Sequence, residues 1–208
     1  MNVHSKKTTF TKKIDSMPRI IEFDESTMIS KAQRVFWKKG YNATSMKDLE
    51  KATGLNPGSI YNTFGNKHEL FLLCLKDYLV PIASFDLAND DKPKGAYHRL
   101  QSYFLEIVTN TVINGDSCFS AKTCFELAGE DQSIHEVLKE SMDKLLAIFE
   151  KMISDAQKEG ALKGELNAEY MAQIMVAALP GFGQNYILYK DKKRISNVIE
   201  NFFDLFRK

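Results

Sequence analysis

The stretch Ala43-Thr44-Ser45-Met46-Lys47-Asp48-Leu49-Glu50-Lys51-Ala52-Thr53-Gly54-Leu55-Asn56-Pro57-Gly58-Ser59-Ile60-Tyr61-Asn62-Thr63-Phe64 reads as two short helices joined by a tight turn. A hydroxyl at Thr44 or Ser45 caps the first helix, because a short side-chain oxygen satisfies the backbone N–H groups that an opening helix turn leaves unpaired. Gly54 ends that helix, since glycine enters the left-handed conformation without the penalty a Cβ brings. Asn56 caps the second helix, and Pro57 suits its first position, where a fixed φ helps and a missing N–H costs nothing. Helices joined in this way form a helix-turn-helix, in which the second helix lies in the DNA major groove. By itself the pattern fits a hairpin packed only for structure equally well.

The flanking residues break that tie. Upstream, Met28, Ile29, Ala32, Val35 and Phe36 share one helical face, and Gly40 ends their helix. Downstream, Asn66 followed three residues later by Glu69 makes a capping box. The order is helix, Gly-Tyr-x-x-Thr-Ser, helix, turn, a helix ending Ile-Tyr-Asn-Thr-Phe, then Asn-Lys-His-Glu-Leu-Phe. Over about Ile29 to Leu75 this resembles the amino-terminal domain of TetR-family transcriptional regulators.

Composition agrees with a DNA-binding head on an acidic body. The 208 residues carry a net charge of +1. Residues 1–67 hold 12 Lys/Arg against 6 Asp/Glu, while residues 68–208 hold 16 against 21. A positive amino-terminal part attracts phosphate, and the acidic remainder does not. No stretch approaches the ~18 apolar residues of a membrane helix, and no signal-peptide core opens the chain. Cys74, Cys118 and Cys124 are too few for a disulfide framework. We expect a cytoplasmic protein, on the nucleoid when bound to DNA, with no membrane partner.

The chain after residue 23 reads as all-α, with about nine helices. Residues 1–22 form a basic arm carrying Lys6, Lys7, Lys12, Lys13 and Arg19. The arm reads either as a minor-groove or phosphate contact or as a tail without sequence preference. Residues 23–67 form the helix-turn-helix domain, and residues 68–208 the helical remainder. A fourth helix from Asn66 to about Phe85, bent at Pro81, joins the two and should move both together. A loop at Ala88–Pro93 and a break at Asn114–Gly115 bound the fifth helix. A sixth spans about Ser117–Ala128. A seventh starts near Asp131 or Ser133, where Ser133 and Glu136 make a capping-box pair, and ends at Gly160. Asn167 caps the eighth, and the ninth covers about Lys193–Phe206.

The resemblance implies roles for particular residues. Thr44, Tyr61, Asn62 and Lys67 match positions at which this family contacts backbone phosphates. The amino end of the fourth helix adds exposed N–H groups beside Lys67. Ser45 and Asn56 stand at the two caps. Pro57 and Gly58 permit close approach and contact with thymine methyls, and Ser59 can bond to a base or a phosphate. The recognition helix has no Arg in its first turn, so a bidentate guanine contact does not come from there. Met46, Leu49, Ile60 and Phe64 read as mini-core. Lys47 and Lys51 add weak attraction to phosphate or are simply solvated.

In TetR-like proteins the later helices form a ligand pocket and a dimer interface. Bulky apolar residues here include Phe104, Phe125, Phe149 and Met175, and we take these four as candidates to line a site for a small apolar or aromatic effector. Side chains of this kind at helical spacing are more often plain core. Cys118, near Lys122, is a weaker candidate for a covalent trigger, against the commoner reading of Cys118 and Cys124 as inert thiols. The small residues Ala172, Ala177, Ala178, Gly181 and Gly183 of the eighth helix, with Ile195, Val198, Ile199, Phe202, Phe203 and Phe206 of the ninth, suggest a homodimer through these two helices. Gly181-Phe182-Gly183 after Pro180 reads as a kink with close helix approach. No catalytic constellation and no metal-ligand spacing is present (His4, His68, His98 and His135 are scattered), so neither an enzyme nor a cofactor is expected. The leading expectation is a homodimeric repressor of a near-palindromic operator in double-stranded DNA, released by a small molecule. The alternative is an architectural or global regulator without an inducer.

Overall fold

The computed structural model describes residues 24–83, 95–113 and 118–208. The basic arm and the loop at residues 88–93 therefore lie outside the described residues, as do Phe85 and the break at 114–115. Among the described residues nine α-helices follow one another and no strand forms. They are α1 Glu25–Lys39, α2 Met46–Thr53, α3 Pro57–Phe64, α4 Lys67–Ala83, α5 Ala96–Ile113, α6 Phe119–Leu127, α7 Gln132–Lys158, α8 Ala168–Tyr189 and α9 Lys192–Asp204. The all-α expectation holds, with boundaries displaced by one or two residues at most of the described ends.

Side-chain caps set most of these boundaries. Asp24 opens α1 by accepting from the N–H groups of Ser26 and Thr27. Ser45, not Thr44, caps α2, in a capping box with Asp48. Gly54 ends α2 at φ 79° and ψ 4°, the left-handed geometry expected of it. The Asn56 side chain accepts from the Ser59 N–H at 2.9 Å, with Pro57 at the first helical position. The Asn66 side chain accepts from the N–H groups of His68 and Glu69, and the Glu69 carboxylate accepts in return from the Asn66 N–H.

At α7 the structure differs from the sequence reading. The cap is Asp131, whose carboxylate accepts from the N–H groups of Ser133 and Ile134. The Ser133 hydroxyl itself donates to Asp131 at 2.6 Å. An ionised carboxylate accepts more strongly than a hydroxyl, so Asp131 displaces the expected Ser133–Glu136 pair.

Two apolar clusters organise the packing. The first gathers Phe36, Leu49, Ile60, Phe64 and Phe71 from α1 to α4, joined by Phe119 and Leu127 of α6 and Ile134 of α7. The second gathers Phe104 of α5, Phe149 and Met152 of α7, Met175 of α8 and Phe203 of α9. The division drawn at residue 67 follows the motif. Packing instead places α4, α6 and the start of α7 with the first cluster, and the 27 residues of α7 reach from one cluster to the other.

Phe119 joins α6 to the motif. It is 1% exposed, and its ring lies 5.5 Å from that of Tyr78, 5.7 Å from Phe71 and 6.0 Å from Trp37. Phe119→Ala should destabilise the protein by about 3–5 kcal/mol, the usual cost of emptying a buried phenylalanine site. Urea unfolding followed through Trp37, the single tryptophan, measures that loss.

Candidate nucleic-acid interface and its link to the carboxy-terminal helices

The two motif helices bury Leu49, Ile60 and Phe64 completely or nearly so, which fixes the angle between them. The turn is held by Thr53, whose hydroxyl donates to the Leu49 carbonyl at 2.8 Å and accepts from the Leu55 N–H at 3.2 Å. Opposite this mini-core, Ser45, Asn56, Pro57, Gly58, Tyr61 and Asn62 are exposed, and Ser59 is half-buried. All seven are thus at least partly accessible to solvent.

Thr44 is placed differently. It is 2% exposed, and its hydroxyl donates to the Gly40 carbonyl at 2.6 Å. Its side chain tightens the α1–α2 turn instead of pointing outward. Asp48 does related work at the surface: Lys39 pairs with it at 2.5 Å, which ties α1 to α2. That lysine and the Ser45 groups hold the Asp48 carboxyl well below the usual range.

Lys67 stands at the amino end of α4, with its ammonium 4.3 Å from the centre of the Tyr41 ring. Burial lowers its pKa, and Glu126 opposes that shift. The ring therefore orients a cation that remains half-exposed beside the recognition helix. Next to it, His68 Nε2 lies 2.6 Å from the Asp131 carboxylate. Asp131 is held down to about 2, first by the Ser133 hydroxyl, then by the Ile134 N–H and by His68. This contact joins the start of α4 to the start of α7.

A second link was missed in the sequence. The Lys122 ammonium of α6 donates to the carbonyls of Trp37 at 2.8 Å and Lys38 at 3.0 Å. Those carbonyls belong to the last turn of α1, where intrahelical partners run out and a cation is favoured. One turn along α6, the Glu126 carboxylate accepts from the N–H groups of Tyr41 at 3.1 Å and Asn42 at 2.8 Å. Gly40, at φ 85°, makes room for it: a Cβ there would lie 2.8 Å from a Glu126 oxygen. Thus α6 grips the α1–α2 turn from both sides. In the sequence, Lys and Glu four apart on a helix read as a solvated pair, and nothing local points 85 residues away.

The four apolar candidates separate. Phe104, Phe149 and Met175 are fully buried, and Phe104 packs against the rings of Phe149, Phe182, Phe202 and Phe203. They are core and line none of the pockets described here. Phe125 is the reverse, 91% exposed. The apolar pocket lies nearer α6. It has a volume of about 250 Å³ and is lined by Leu79, Ile107, Cys118, Ala121, Cys124, Phe125, Leu138, Met142, Leu145, Val176, Leu179 and Pro180, with the hydroxyls of Ser120 and Ser141. Cys118 is half-buried at the α6 cap, its Sγ 3.0 Å from the Ser120 hydroxyl and 3.7 Å from that of Tyr78. Cys124 is exposed, and both cysteines are free.

The last two helices also sort into two faces. Ala172 and Gly183 of α8, Ile195, Ile199 and Phe203 of α9, and Phe206 just beyond it are buried within the chain, with Phe202 packed against the second cluster. Most of the α9 face assigned to a partner is thus claimed internally, because the second cluster needs a lid. Exposed apolar residues remain at Tyr170, Ile174 and Leu188 of α8, at Val198 of α9 and at Leu205 just after it. Gly181 has open space where a Cβ would go, so it marks no close approach inside the chain. Among the described residues, no group of three His, Cys, Asp or Glu is placed to hold a metal ion. No described helix is long and apolar enough to cross a membrane.

Comparison with known proteins agrees with this geometry. Residues 28–74 match the model of bacterial regulatory proteins, tetR family, and residues 98–202 match the tetracyclin repressor-like, C-terminal domain. The HTH-type transcriptional repressor ComR of Escherichia coli (strain K12) is 27% identical over 178 residues, 84% of this chain and 83% of that protein. The HTH-type transcriptional repressor DhaR of Mycobacterium sp. (strain GP1) is 23% identical over 155 residues, 74% and 77% of the two chains. A TetR transcriptional regulator from Legionella pneumophila superposes with a TM-score of 0.75 at 21% identity, over 91% of this chain and all of that one. The regulator CifR, solved as a cysteine mutant with 26 bp of double-strand operator DNA, superposes with a TM-score of 0.75 at 21% identity, over 92% and 100%. These structural likenesses show the fold.

Two outcomes follow from this geometry. Glu126→Gln weakens a charge-assisted acceptor, so amide exchange at Tyr41 and Asn42 should accelerate selectively, while the α3 amides keep their protection. Asp131, with its depressed pKa, contributes stability above its unfolded value of about 4 and loses it as pH falls toward about 2. Asp131→Asn should therefore flatten the stability–pH curve in that window, read by denaturant midpoints at successive pH values.

Proposed function

This chain belongs to the TetR family of bacterial regulatory proteins, and on that premise we propose that it is a homodimeric repressor released from its operator by a small apolar molecule. One observation supports the DNA reading above the others. In the first turn of α3 Pro57 and Gly58 are exposed and Ser59 is half-buried, and at the amino end of α4 Tyr41 steadies Lys67. Major-groove docking requires a base-facing surface and a phosphate anchor, and these residues are suited to the two roles. The relatives ComR and DhaR are described as repressors. Tyr61 and Asn62 add phosphate contacts, and Ser45 and Asn56 flank them at the helix caps. Thr44, being buried, contributes by shaping the turn. The family is one of regulators, and we read no catalytic role into this chain.

Dimerisation uses the outward residues of α8 and α9, among them Ile174, Ala177, Gly181 and Val198. Two recognition helices then meet successive major grooves of a near-palindromic site, about 34–36 Å apart. The effector site is the pocket beside α6, which the buried residues Phe104, Phe149 and Met175 do not line. Its 250 Å³ falls just below the ~300 Å³ at which ligand pockets generally begin, so a compact effector suits it. The route from pocket to DNA runs through α6, which lines the pocket with Cys118, Ala121, Cys124 and Phe125 and grips the α1–α2 turn with Lys122 and Glu126. An effector that displaces α6 loosens that grip and lets α4 swing the reading head. A coupling of about 1–3 kcal/mol lowers operator affinity about 5- to 150-fold, and operator lowers effector affinity by the same factor.

Docking is tested by titrating salt against operator binding. Lys67→Ala should weaken binding to every sequence and make the salt dependence shallower by about one unit of slope. Ser59→Ala should change base preference more than affinity. An unchanged salt slope in Lys67→Ala removes Lys67 from the phosphate contacts.

A further inference from the structure

One corner of the otherwise acidic carboxy-terminal part is basic. Residues 190–194, Lys-Asp-Lys-Lys-Arg, form the turn from α8 to α9 and hold four of the 16 Lys/Arg of residues 68–208. All five are exposed. The Asp191 carboxylate is occupied as the α9 cap, accepting from the Arg194 N–H at 3.0 Å. Among the described residues, no ion pair engages the four cations.

Two features of this turn work against stability. Lys190 stands at φ 54° and ψ 22°, and among the described residues it is the one non-glycine at positive φ. Glycine or asparagine is the ordinary choice there, since a Cβ is penalised in the left-handed region. α9 has no acidic residue in its first turn and opens on Lys192, Lys193 and Arg194, at the end where the helix dipole disfavours cations. Local choices that oppose local structure gather at functional positions. Here both place positive charge at the same corner. Rings order part of it: the Arg194 guanidinium lies 3.9 Å from the centre of Tyr189, and the Lys190 ammonium 5.6 Å from that of Tyr186.

Helix packing brings this corner to the end of the molecule that carries the motif. α8 runs antiparallel to α7: Glu169 shares a cleft with Glu150, and Leu179 shares the apolar pocket with Leu138. α7 begins at the His68–Asp131 contact with α4, so α8 ends near that level. Its last turns, through Gln184 and Leu188, line a groove of about 860 Å³ together with Asn42 and Ala43 of the α1–α2 turn. Lys190 follows Leu188 by two residues, and Ala43 precedes the α2 cap Ser45 by two.

We propose that the α8–α9 turn is a second DNA-contacting surface, whose cations meet backbone phosphates of the duplex that the recognition helix holds. The inference rests on the docking reading given above and extends the footprint to the body of the protein. The partner follows from chemistry and place. Exposed cations without internal partners suit a dense row of anions, and duplex DNA is the polyanion that the adjacent motif brings near. Contacts of this kind carry no base information. They strengthen attraction to every duplex and steepen its dependence on salt.

The test titrates salt against binding of the full chain to a mixed-sequence DNA duplex. Lys192→Gln combined with Lys193→Gln should lower affinity and make the slope of log K against log salt shallower by about two units for each protein molecule bound. The same double variant should melt at the native temperature or above it, because it relieves the α9 dipole. Lys190→Gly should also keep or raise the melting temperature while weakening duplex binding, a pairing of effects that a purely structural turn would not give. Lys67→Ala checks the docking reading separately. A slope that is shallower in Lys67→Ala and unchanged in the double variant overturns the proposal and leaves the docking standing. A wild-type chain that fails to bind the duplex at low salt defeats the docking and this proposal with it. A double variant that binds the duplex like wild type but loses adhesion to vesicles containing phosphatidylserine assigns the turn to a membrane surface and overturns the proposal as well.

Discussion

The rest of the structure depends on how α6 holds the end of α1. A helix terminus leaves carbonyls without partners, and a chain reversal leaves N–H groups without partners. Here both deficits fall in six consecutive residues, Trp37 to Asn42, and one short helix meets both with opposite charges. Each bond joins an ionised group to a backbone dipole, a stronger arrangement than a neutral pair. Phe119 adds an aromatic contact one turn before Lys122. Position in space therefore comes from packing, and register from charge.

This arrangement explains why the motif is not an independent head. α4 connects the two parts covalently, but a single helix leaves rotation about its axis open. The α6 grip and the His68–Asp131 contact, 2.6 Å long, remove that freedom from two directions. The same α6 also bears the pocket wall. The proposed effector response therefore needs only a displacement of this nine-residue helix to reach the turn that precedes α3.

Much of the fold is legible in the sequence because caps and breakers act locally. Ser45, Gly54, Asn56, Pro57 and Asn66 each do in space what their chemistry suggests in one dimension. Asp131 shows the limit: two adjacent candidate caps compete, and the winner is decided by which one is ionised. The apolar candidates show a deeper limit. Helical periodicity identifies Phe104, Phe149 and Met175 as inward-facing, yet filling a core and lining a void present the same pattern. Phe125 has the same composition signal and an opposite environment, because its helix is covered on one side only. Thr44 carries a hydroxyl suited to phosphate, and the Gly40 carbonyl takes it first. The Lys122–Glu126 grip is invisible in the sequence, since its partners are backbone atoms and every residue has those.

The recognition helix presents a hydroxyl, a phenol, an amide and a close-fitting Pro-Gly turn, with no guanidinium in its first turn. Short uncharged groups of this kind distinguish bases weakly. On the proposed dimeric docking, discrimination then draws on the mechanics of the duplex: how readily a given base step bends, twists or narrows its groove to let two heads seat together. Base pairs between the half-sites, which no side chain reaches, would carry information through their stiffness. On the proposed docking, an operator of this protein would be defined as much by its elasticity as by its letters.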